Sequence, residues 1–276
     1  MRFPVILLVG KAGSGKDTVG ALLAKNLNGQ TLALADEMKR VLHMDMKVPK
    51  KVLWGPSELR NTPMGRCSTI QDPRPDRFGQ RSTQDVLSRN AAFERLHGPH
   101  KRLNVKQAEA FMEWFNEKAL TKNTVRYVLQ TLGTEWGRAN DPDIWIDIAI
   151  KNAETVLAGG SYRAATGVDP SPSPPSYKDF VIITDGRFRN EVLAVRKLGG
   201  IVIKIVNPDE KSTSTHASET EQDSIPEHWF DLVFYNDKTA GLDRLHDKVL
   251  DLSYFLAGIH RRSQPPTAAL DKFHWY

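Results

Sequence analysis

The stretch that decides the fold is Gly10-Lys11-Ala12-Gly13-Ser14-Gly15-Lys16-Asp17-Thr18. Glycines at these positions let the backbone curl, so that amide N–H groups and the N-terminus of a following helix converge on a phosphate. Lys16 adds a mobile positive charge for the phosphoryl group that is transferred. The stretch therefore predicts a phosphate-binding loop (P-loop), in which Gly13 through Thr18 hold a nucleotide.

The residues on either side fit such a loop. Val5 to Val9 form a short apolar run, typical of a strand buried on both faces. After the loop, apolar residues recur at helical spacing until Asn28-Gly29, which predicts a helix that ends there. Strand, loop and helix in this order are the setting that a P-loop requires.

One position departs from the usual P-loop pattern. The residue after Lys16 normally carries a magnesium-binding hydroxyl, but here it is Asp17, and Thr18 follows. Three modes of magnesium binding stay open: through Asp17, through Thr18, or through water.

The rest of the chain alternates strands with helices. Strands are predicted at residues 31–35, 180–184, 201–206 and 232–235, and helices at 36–42, 105–115, 125–136, 143–157, 188–198 and from 237 onward. Elements at this spacing imply right-handed crossovers. The sequence predicts an α/β fold, with a five-stranded, mostly parallel, doubly wound sheet and a largely helical insertion.

Three segments interrupt this alternation. Residues 43–123 are rich in proline and arginine and are predicted to be an insertion of helices and loops. Residues 159–177 are rich in Gly, Ser and Pro and are predicted to be a flexible loop. Residues 258–276 are predicted to be a C-terminal tail. We expect all of them to belong to one domain over residues 1–276.

A second polar cluster follows the strand at 180–184. In open α/β sheets ligands bind beyond the carboxyl ends of the strands, so Asp185 and Arg187 are expected beside the P-loop. There Asp185 could orient hydrated magnesium and Arg187 could bind a phosphate. The alternative is that Asp185 caps the next helix and the arginines lie on a solvated surface.

A third polar cluster lies on the predicted helix at 125–136. Arg126 and Gln130 are four residues apart and share one helical face, opposite an apolar stripe, and Gly133 and Thr134 follow them. Such a face is either a binding surface or simply solvated.

Several motifs, in the same order along the chain, resemble those of the deoxynucleoside monophosphate kinases of tailed bacteriophages. They are Gly-Ser-Gly-Lys-Asp-Thr at 13–18, Leu34-Ala35 with Lys39, Gln130-Thr-Leu-Gly-Thr-Glu135, Trp145, Asp185-Gly-Arg187 with Glu191, and Thr215-His216-Ala-Ser-Glu219. The resemblance covers residues 1–42 and 124–256.

The resemblance implies a P-loop kinase that uses ATP and Mg²⁺ to phosphorylate a deoxynucleoside 5′-monophosphate. It implies an acceptor pocket lined by Arg126, Gln130, Thr134, Trp145, Arg187 and Glu191, and its motifs add Lys39 and Gly133. Arg60, in the insertion, is either a further residue of this pocket or a surface arginine on a packed loop.

The chemistry of phosphoryl transfer suits these residues. A monophosphate oxygen is already anionic near neutral pH, so positioning and charge neutralisation carry the rate without a general base. We expect Lys16 to contact the β- and γ-phosphates, and Arg126 and Arg187 to contact the acceptor phosphate or the transferring group. Asp185 would hold magnesium or its waters, as would Asp17 or Thr18.

Residues 207–227 form a polar segment between the fourth and fifth predicted strands. The segment contains Lys211, His216 and Glu219 and lies where this kinase architecture often has a closing lid. We expect it to order over bound nucleotide. The alternative is an ordinary surface loop.

The composition of the chain limits the classes of protein to which it can belong. The chain has 276 residues, 38 Lys plus Arg against 33 Asp plus Glu, and a net charge of +5, which favours anionic partners only weakly. Its single cysteine, Cys67, excludes an internal disulfide, and with His97 and His100 it lacks a zinc-binding spacing, so no zinc is expected.

No apolar run near the start of the chain approaches the length of a membrane span, which is about 20 residues. We expect a cytoplasmic protein, in the host cell's cytoplasm if the gene belongs to a phage.

Two other functions stay open at this stage: a P-loop kinase for another phosphorylated small molecule, and a nucleic-acid-dependent P-loop ATPase. A nucleic-acid-dependent ATPase would be expected to have an Asp-Glu pair at the end of a strand and a concentrated stripe of basic residues. In this sequence Asp185 is followed by glycine, and the arginines are scattered. We expect nucleotides as partners, without a membrane or a stable nucleic-acid partner, and keep a homodimer as an open alternative.

Overall fold

The computed structural model describes residues 3–45, 48–63, 124–139, 141–164, 167–169, 176–208, 221–261 and 273–275. The predicted helix at 105–115 lies outside them. So do Cys67, His97, His100, Lys211, His216 and Glu219.

A parallel sheet organises the chain. The strands are β1 (Val5–Val9), β2 (Gly29–Leu32), β3 (Ser161–Arg163), β4 (Gly167–Asp169), β5 (Phe180–Gly186), β6 (Ile201–Val206), β7 (Leu232–Tyr235) and β8 (Phe273–Trp275). Within the described residues, six of them form one sheet in the order β2-β5-β1-β6-β7-β8, and each neighbouring pair is parallel. The predicted α/β class is confirmed, and β8 extends the sheet of five predicted strands.

The helices follow the predicted alternation. They are α1 (Lys16–Asn26), α2 (Ala35–Arg40), α3 (Lys50–Trp54), α4 (Val125–Thr131), α5 (Ile144–Leu157), α6 (Arg189–Lys197) and α7 (Leu242–Arg261). The π-helical turns Val41–Asp45 and Leu132–Arg138 continue α2 and α4. In the insertion, α3 and a short 3₁₀ helix, Ser57–Asn61, precede the undescribed residues.

The chain divides into two compact units. Unit 1 comprises Met1–Leu34, Ile146–Tyr162 and Val168–Tyr276, and it contains the large sheet. Unit 2 comprises Ala35–Trp145 and Arg163–Gly167. The expectation of a single domain stays a prediction.

Two local predictions differ from the structure. The second strand spans Gly29–Leu32 rather than 31–35, because Asn28 adopts a positive φ of 48° and turns the chain from α1 directly into the sheet. The strand ends early because the Leu34 N–H donates to the side-chain carboxylate of Asp185, at 2.7 Å, instead of to a main-chain carbonyl of β5. The segment predicted as a loop at 159–177 contains the paired strands β3 and β4.

The main core lies on one face of the large sheet. Ile6 and Leu8 of β1 pack there in one buried cluster with Leu23 of α1 and Val249 of α7. On α6, which contacts β1 and β6, Val192 and Val195 are buried outside this cluster, so α6 covers the opposite face. Helices on both faces confirm the doubly wound arrangement. Among the described residues, no helix combines the length and apolarity that a bilayer crossing needs.

Truncating a core side chain tests this packing. Leu8 is fully buried between α1 and α7, so Leu8→Ala should lower the free energy of unfolding by about 2–5 kcal/mol, through lost apolar burial and a cavity. The control is Leu242→Ala, because Leu242 is 67% exposed at the start of α7 and should change stability by less than about 0.5 kcal/mol. Urea titration followed by circular dichroism measures both. Equal losses for the two variants would contradict this core.

Candidate functional site

The P-loop connects β1 to α1 at the carboxyl edge of the large sheet. Gly13 and Gly15 have φ values of 84° and 91°, in the left-handed region that side chains disfavour. A Cβ atom at Gly15 would also lie 2.1 Å from the Asn236 amide nitrogen. The sharp curl that points backbone N–H groups inward therefore depends on glycine at these positions.

Lys16 opens α1 and turns back onto the loop. Its ammonium group donates to the Gly10 carbonyl at 2.5 Å and to the Lys11 carbonyl at 2.6 Å, and the residue is buried. The Lys16 ammonium is therefore held by the backbone of the loop. A phosphate bound there would lie next to the N-terminus of α1.

Asn236, at the end of β7, fixes the middle of the loop. Its side-chain amide donates to the Ser14 carbonyl at 2.9 Å, and both residues are buried. Its backbone N–H donates to Val206 of β6 at 2.8 Å, which fixes Asn236 to the sheet. The Ser14 hydroxyl is buried without a hydrogen-bond partner in the described part of the chain, and such groups are usually satisfied by water or a ligand.

The next residue, Asp237, caps the 3₁₀ turn Lys238–Ala240. Its carboxylate accepts the Thr239 hydroxyl at 2.6 Å and the Thr239 N–H at 2.8 Å. Hydrogen bonds from that hydroxyl and that N–H favour the ionised form and hold the pKa of Asp237 below its ordinary value. The turn after Asn236 therefore carries a negative charge near neutral pH.

Asp185 lies at the end of β5, next to the strand that leads into the P-loop. The register pairs Gly186 with Val9, and the Asp185 carboxylate accepts the Leu34 N–H. The alternative that Asp185 caps α6 is wrong, because the N-cap of that helix is Phe188. Asp185 therefore lies near the carboxyl end of β1, as predicted.

Glu191, in the first turn of α6, accepts hydrogen bonds from the backbone that leads into this helix. Its buried carboxylate accepts the Arg187 N–H at 2.6 Å and the Phe188 N–H at 2.9 Å. These bonds fix the turn that carries Arg187, whose side chain is half-buried. Contact of either residue with an acceptor stays a prediction.

The oxygen donors of unit 1 fit a magnesium ion held mainly by a nucleotide. Asp17 and Thr18 are exposed in the first turn of α1, and Asp185 is half-buried. No group of three or more His, Cys, Asp or Glu side chains arranged to hold a metal occurs among the described residues. Magnesium commonly uses one or two carboxylates with phosphate oxygens and waters. The chemistry of these donors suits such an ion, and its binding by them stays a prediction.

A cavity of about 260 Å³ borders the P-loop where β1 and β6 end. Lys11, Lys204, Gln222 and Phe230 are among its lining residues. The Lys11 ammonium forms an ion pair with Asp223 at 3.0 Å, which joins the P-loop to the 3₁₀ helix Glu221–Ser224. That helix lies in the segment predicted as a lid, whose closure stays a prediction.

Three predicted acceptor-side cations, Lys39, Arg60 and Arg126, lie in unit 2. Arg126 donates from Nε to the Asn61 side chain at 2.8 Å and from Nη2 to the carbonyl and hydroxyl of Ser57, each at 2.9 Å. Arg60 donates to the Leu53 carbonyl at 3.0 Å. Residues 53–61 thus hold two of these three cations.

Lys39 belongs to a small polar cluster in the same unit. Its ammonium lies 3.6 Å from the Asp36 carboxylate and 5.8 Å from the centre of the Trp54 ring. The Trp54 indole N–H donates to the same Asp36 carboxylate at 2.9 Å. Asp36 therefore neutralises part of the charge that Lys39 would offer an acceptor.

The remaining predicted residues of unit 2 divide into surface and core. Gln130 and Thr134 are half-buried. Trp145 is fully buried, and its indole N–H donates to the Gly133 carbonyl at 2.8 Å. In the structure Trp145 and Gly133 therefore pack against each other, and their contact with an acceptor stays a prediction.

Sequence reasoning missed the residues that hold the predicted ones in place. Asn236 could have been found, because it follows a predicted strand at the carboxyl edge of the sheet. No local sequence pattern indicates a role for Ser57 and Asn61, because their partner Arg126 is more than 60 residues away in sequence.

Comparison with known proteins gives limited matches. No protein-family model matches the chain. The chain is 46% identical over 59 residues to a protein of Acanthamoeba polyphaga mimivirus named "Putative deoxynucleotide monophosphate kinase", which covers 21% of this chain and 30% of that protein. It is 27% identical over 154 residues to the deoxynucleotide monophosphate kinase of Escherichia phage RB69, which covers 56% of this chain and 54% of that protein. The chain thus matches about a third to a half of the length of these relatives.

Removing the Asn236 side-chain amide tests whether its hydrogen bond to the Ser14 carbonyl stabilises the P-loop. Asn236→Ala leaves the buried Ser14 carbonyl without this donor and should lower the free energy of unfolding by about 1–3 kcal/mol. Thr155→Ala is the control, because it removes an exposed side-chain bond to the Lys151 carbonyl and should change stability by less than about 0.5 kcal/mol. Urea titration compares the two. An Asn236→Ala variant as stable as the control would contradict the role of this bond.

Proposed function

We propose that this protein transfers the γ-phosphoryl group of ATP to a deoxynucleoside 5′-monophosphate, producing ADP and the deoxynucleoside diphosphate. The observation that carries the proposal is the P-loop geometry, with Lys16 at the N-terminus of α1 and Asp185 on the strand beside β1. The similarity to two proteins named deoxynucleotide monophosphate kinases supports the choice of acceptor.

In this proposal the loop backbone and Lys16 bind the β- and γ-phosphates of ATP. When the phosphate enters, the Lys16 ammonium exchanges its bonds to the Gly10 and Lys11 carbonyls for phosphate oxygens. The magnesium ion, when bound, neutralises phosphate charge, and Asp185 with Asp17 or Thr18 would hold it or its waters.

Several of the predicted cations would bind the acceptor. Arg187 and Arg126 would contact its phosphate or the transferring group, and Lys39, Arg60, Gln130, Gly133, Thr134, Trp145 and Glu191 are the further proposed pocket residues. Because the acceptor oxygen is already ionised near neutral pH, these residues need only position it in line and neutralise charge.

A panel of acceptors tests the reaction. ADP formation with ATP and Mg²⁺ should depend on an acceptor and should be supported by one or more of the four common deoxynucleoside monophosphates. Ribonucleoside monophosphates and a sample without acceptor are the controls. ADP formed equally without acceptor would support the ATPase alternative and contradict the proposal.

Truncation of the P-loop lysine tests the mechanism. Lys16→Ala removes a main electrostatic stabiliser of the transition state and should lower kcat by about 10²–10³-fold. Lys25→Ala is the matched control, because Lys25 is exposed on the last turn of the same helix and should leave kcat within about twofold. Steady-state ADP formation measures both variants. A loss of less than about threefold for Lys16→Ala would contradict the assigned role.

A further inference from the structure

Arg126 is held by two residues of the short 3₁₀ helix Ser57–Asn61. Its Nε–H donates to the Asn61 side-chain oxygen, and its Nη2 donates to both oxygens of Ser57, at 2.8 and 2.9 Å respectively. Ser57 and Asn61 are themselves exposed, so their polar groups are not needed to fill a core. The three hydrogen bonds hold the guanidinium group of Arg126.

Counting donors shows which edge of Arg126 is held and which is available. A guanidinium has five N–H donors: one on Nε and two on each Nη nitrogen. The clamp residues Ser57 and Asn61 accept three of them. Within the described residues, no hydrogen bond uses Nη1, whose two N–H groups remain for an anion.

Backbone contacts fix the clamp relative to α4, the helix that carries Arg126. The Val125 N–H donates to the Thr62 carbonyl at 3.1 Å, and Pro63 and Thr124 form an antiparallel bridge. The residue that follows Asn61 is thus bonded to the residue that precedes Arg126. This backbone frame holds the clamp residues beside α4, where two side-chain oxygens and one carbonyl of the clamp accept from the guanidinium.

We infer that Ser57 and Asn61 are positioning residues, which orient Arg126 so that Nη1 binds a phosphate oxygen of the monophosphate acceptor. This inference rests on the proposed function, because it deepens the role of Arg126 there. A guanidinium that is already immobilised loses less side-chain entropy on binding, so the clamp should strengthen acceptor binding. Removing one clamp residue should weaken it by about three- to tenfold.

Direct binding of deoxynucleoside monophosphates in the absence of ATP tests the clamp. Isothermal titration calorimetry should give a Kd about three- to tenfold higher for Asn61→Ala and for Ser57→Ala than for the unaltered chain. Ser57→Thr keeps the hydroxyl and should bind nearly as the unaltered chain does. Thr155→Ala is the matched control, because it removes an exposed hydroxyl bonded to a main-chain carbonyl in unit 1.

A double-mutant comparison separates positioning from a general structural effect. In the Arg126→Ala background, adding Asn61→Ala should not weaken binding further, since the clamp acts through Arg126. An equal loss in both backgrounds, or clamp variants that bind as tightly as Thr155→Ala, would overturn the inference.

The binding assay also distinguishes this inference from the proposed reaction. Clamp-dependent binding without phosphoryl transfer would overturn the proposed function and leave the clamp. Phosphoryl transfer with binding that is indifferent to the clamp would overturn only the inference. A chain that neither binds nor phosphorylates any acceptor would overturn both.

Discussion

The architecture depends on one sharp turn of the backbone, between β1 and α1. Gly13 and Gly15 adopt positive φ angles there, and Asn236 approaches Gly15 so closely that any Cβ atom would collide with it. A parallel sheet brings the ends of β5, β6 and β7 to the same edge as this turn. Asp185 on one side and Asn236 on the other are placed by strands, and not by the loop itself.

Several of the cations predicted to bind phosphates are held by neighbouring residues. Lys16 contacts two loop carbonyls, Lys11 contacts Asp223, and Arg126 is held by Ser57 and Asn61. Cations fixed in this way suit phosphoryl transfer, which depends on positioning and charge neutralisation more than on proton transfer.

The parts of the fold that the sequence predicts are those with local causes. The buried β1, the glycine loop and α1 follow one another within about 20 residues, and each has a compositional signal that the structure bears out. The end of the second strand has no local cause, because it is set by the bond from Leu34 to Asp185, 151 residues away. The Asn236 contact joins positions 222 residues apart, and only the topology of the sheet makes it predictable. For the candidate site, the sequence identified residue types suited to phosphates, but not which partners restrain them.

In the proposed reaction the γ-phosphoryl group passes directly from ATP to a monophosphate acceptor. The most direct measurement follows the label from ATP that carries ³²P in its γ-phosphate, in the presence of Mg²⁺ and each deoxynucleoside monophosphate in turn. Direct transfer predicts label in the β-phosphate of a deoxynucleoside diphosphate, with little in inorganic phosphate. Label that appears only in inorganic phosphate, or that stays in ATP with every acceptor, would contradict it.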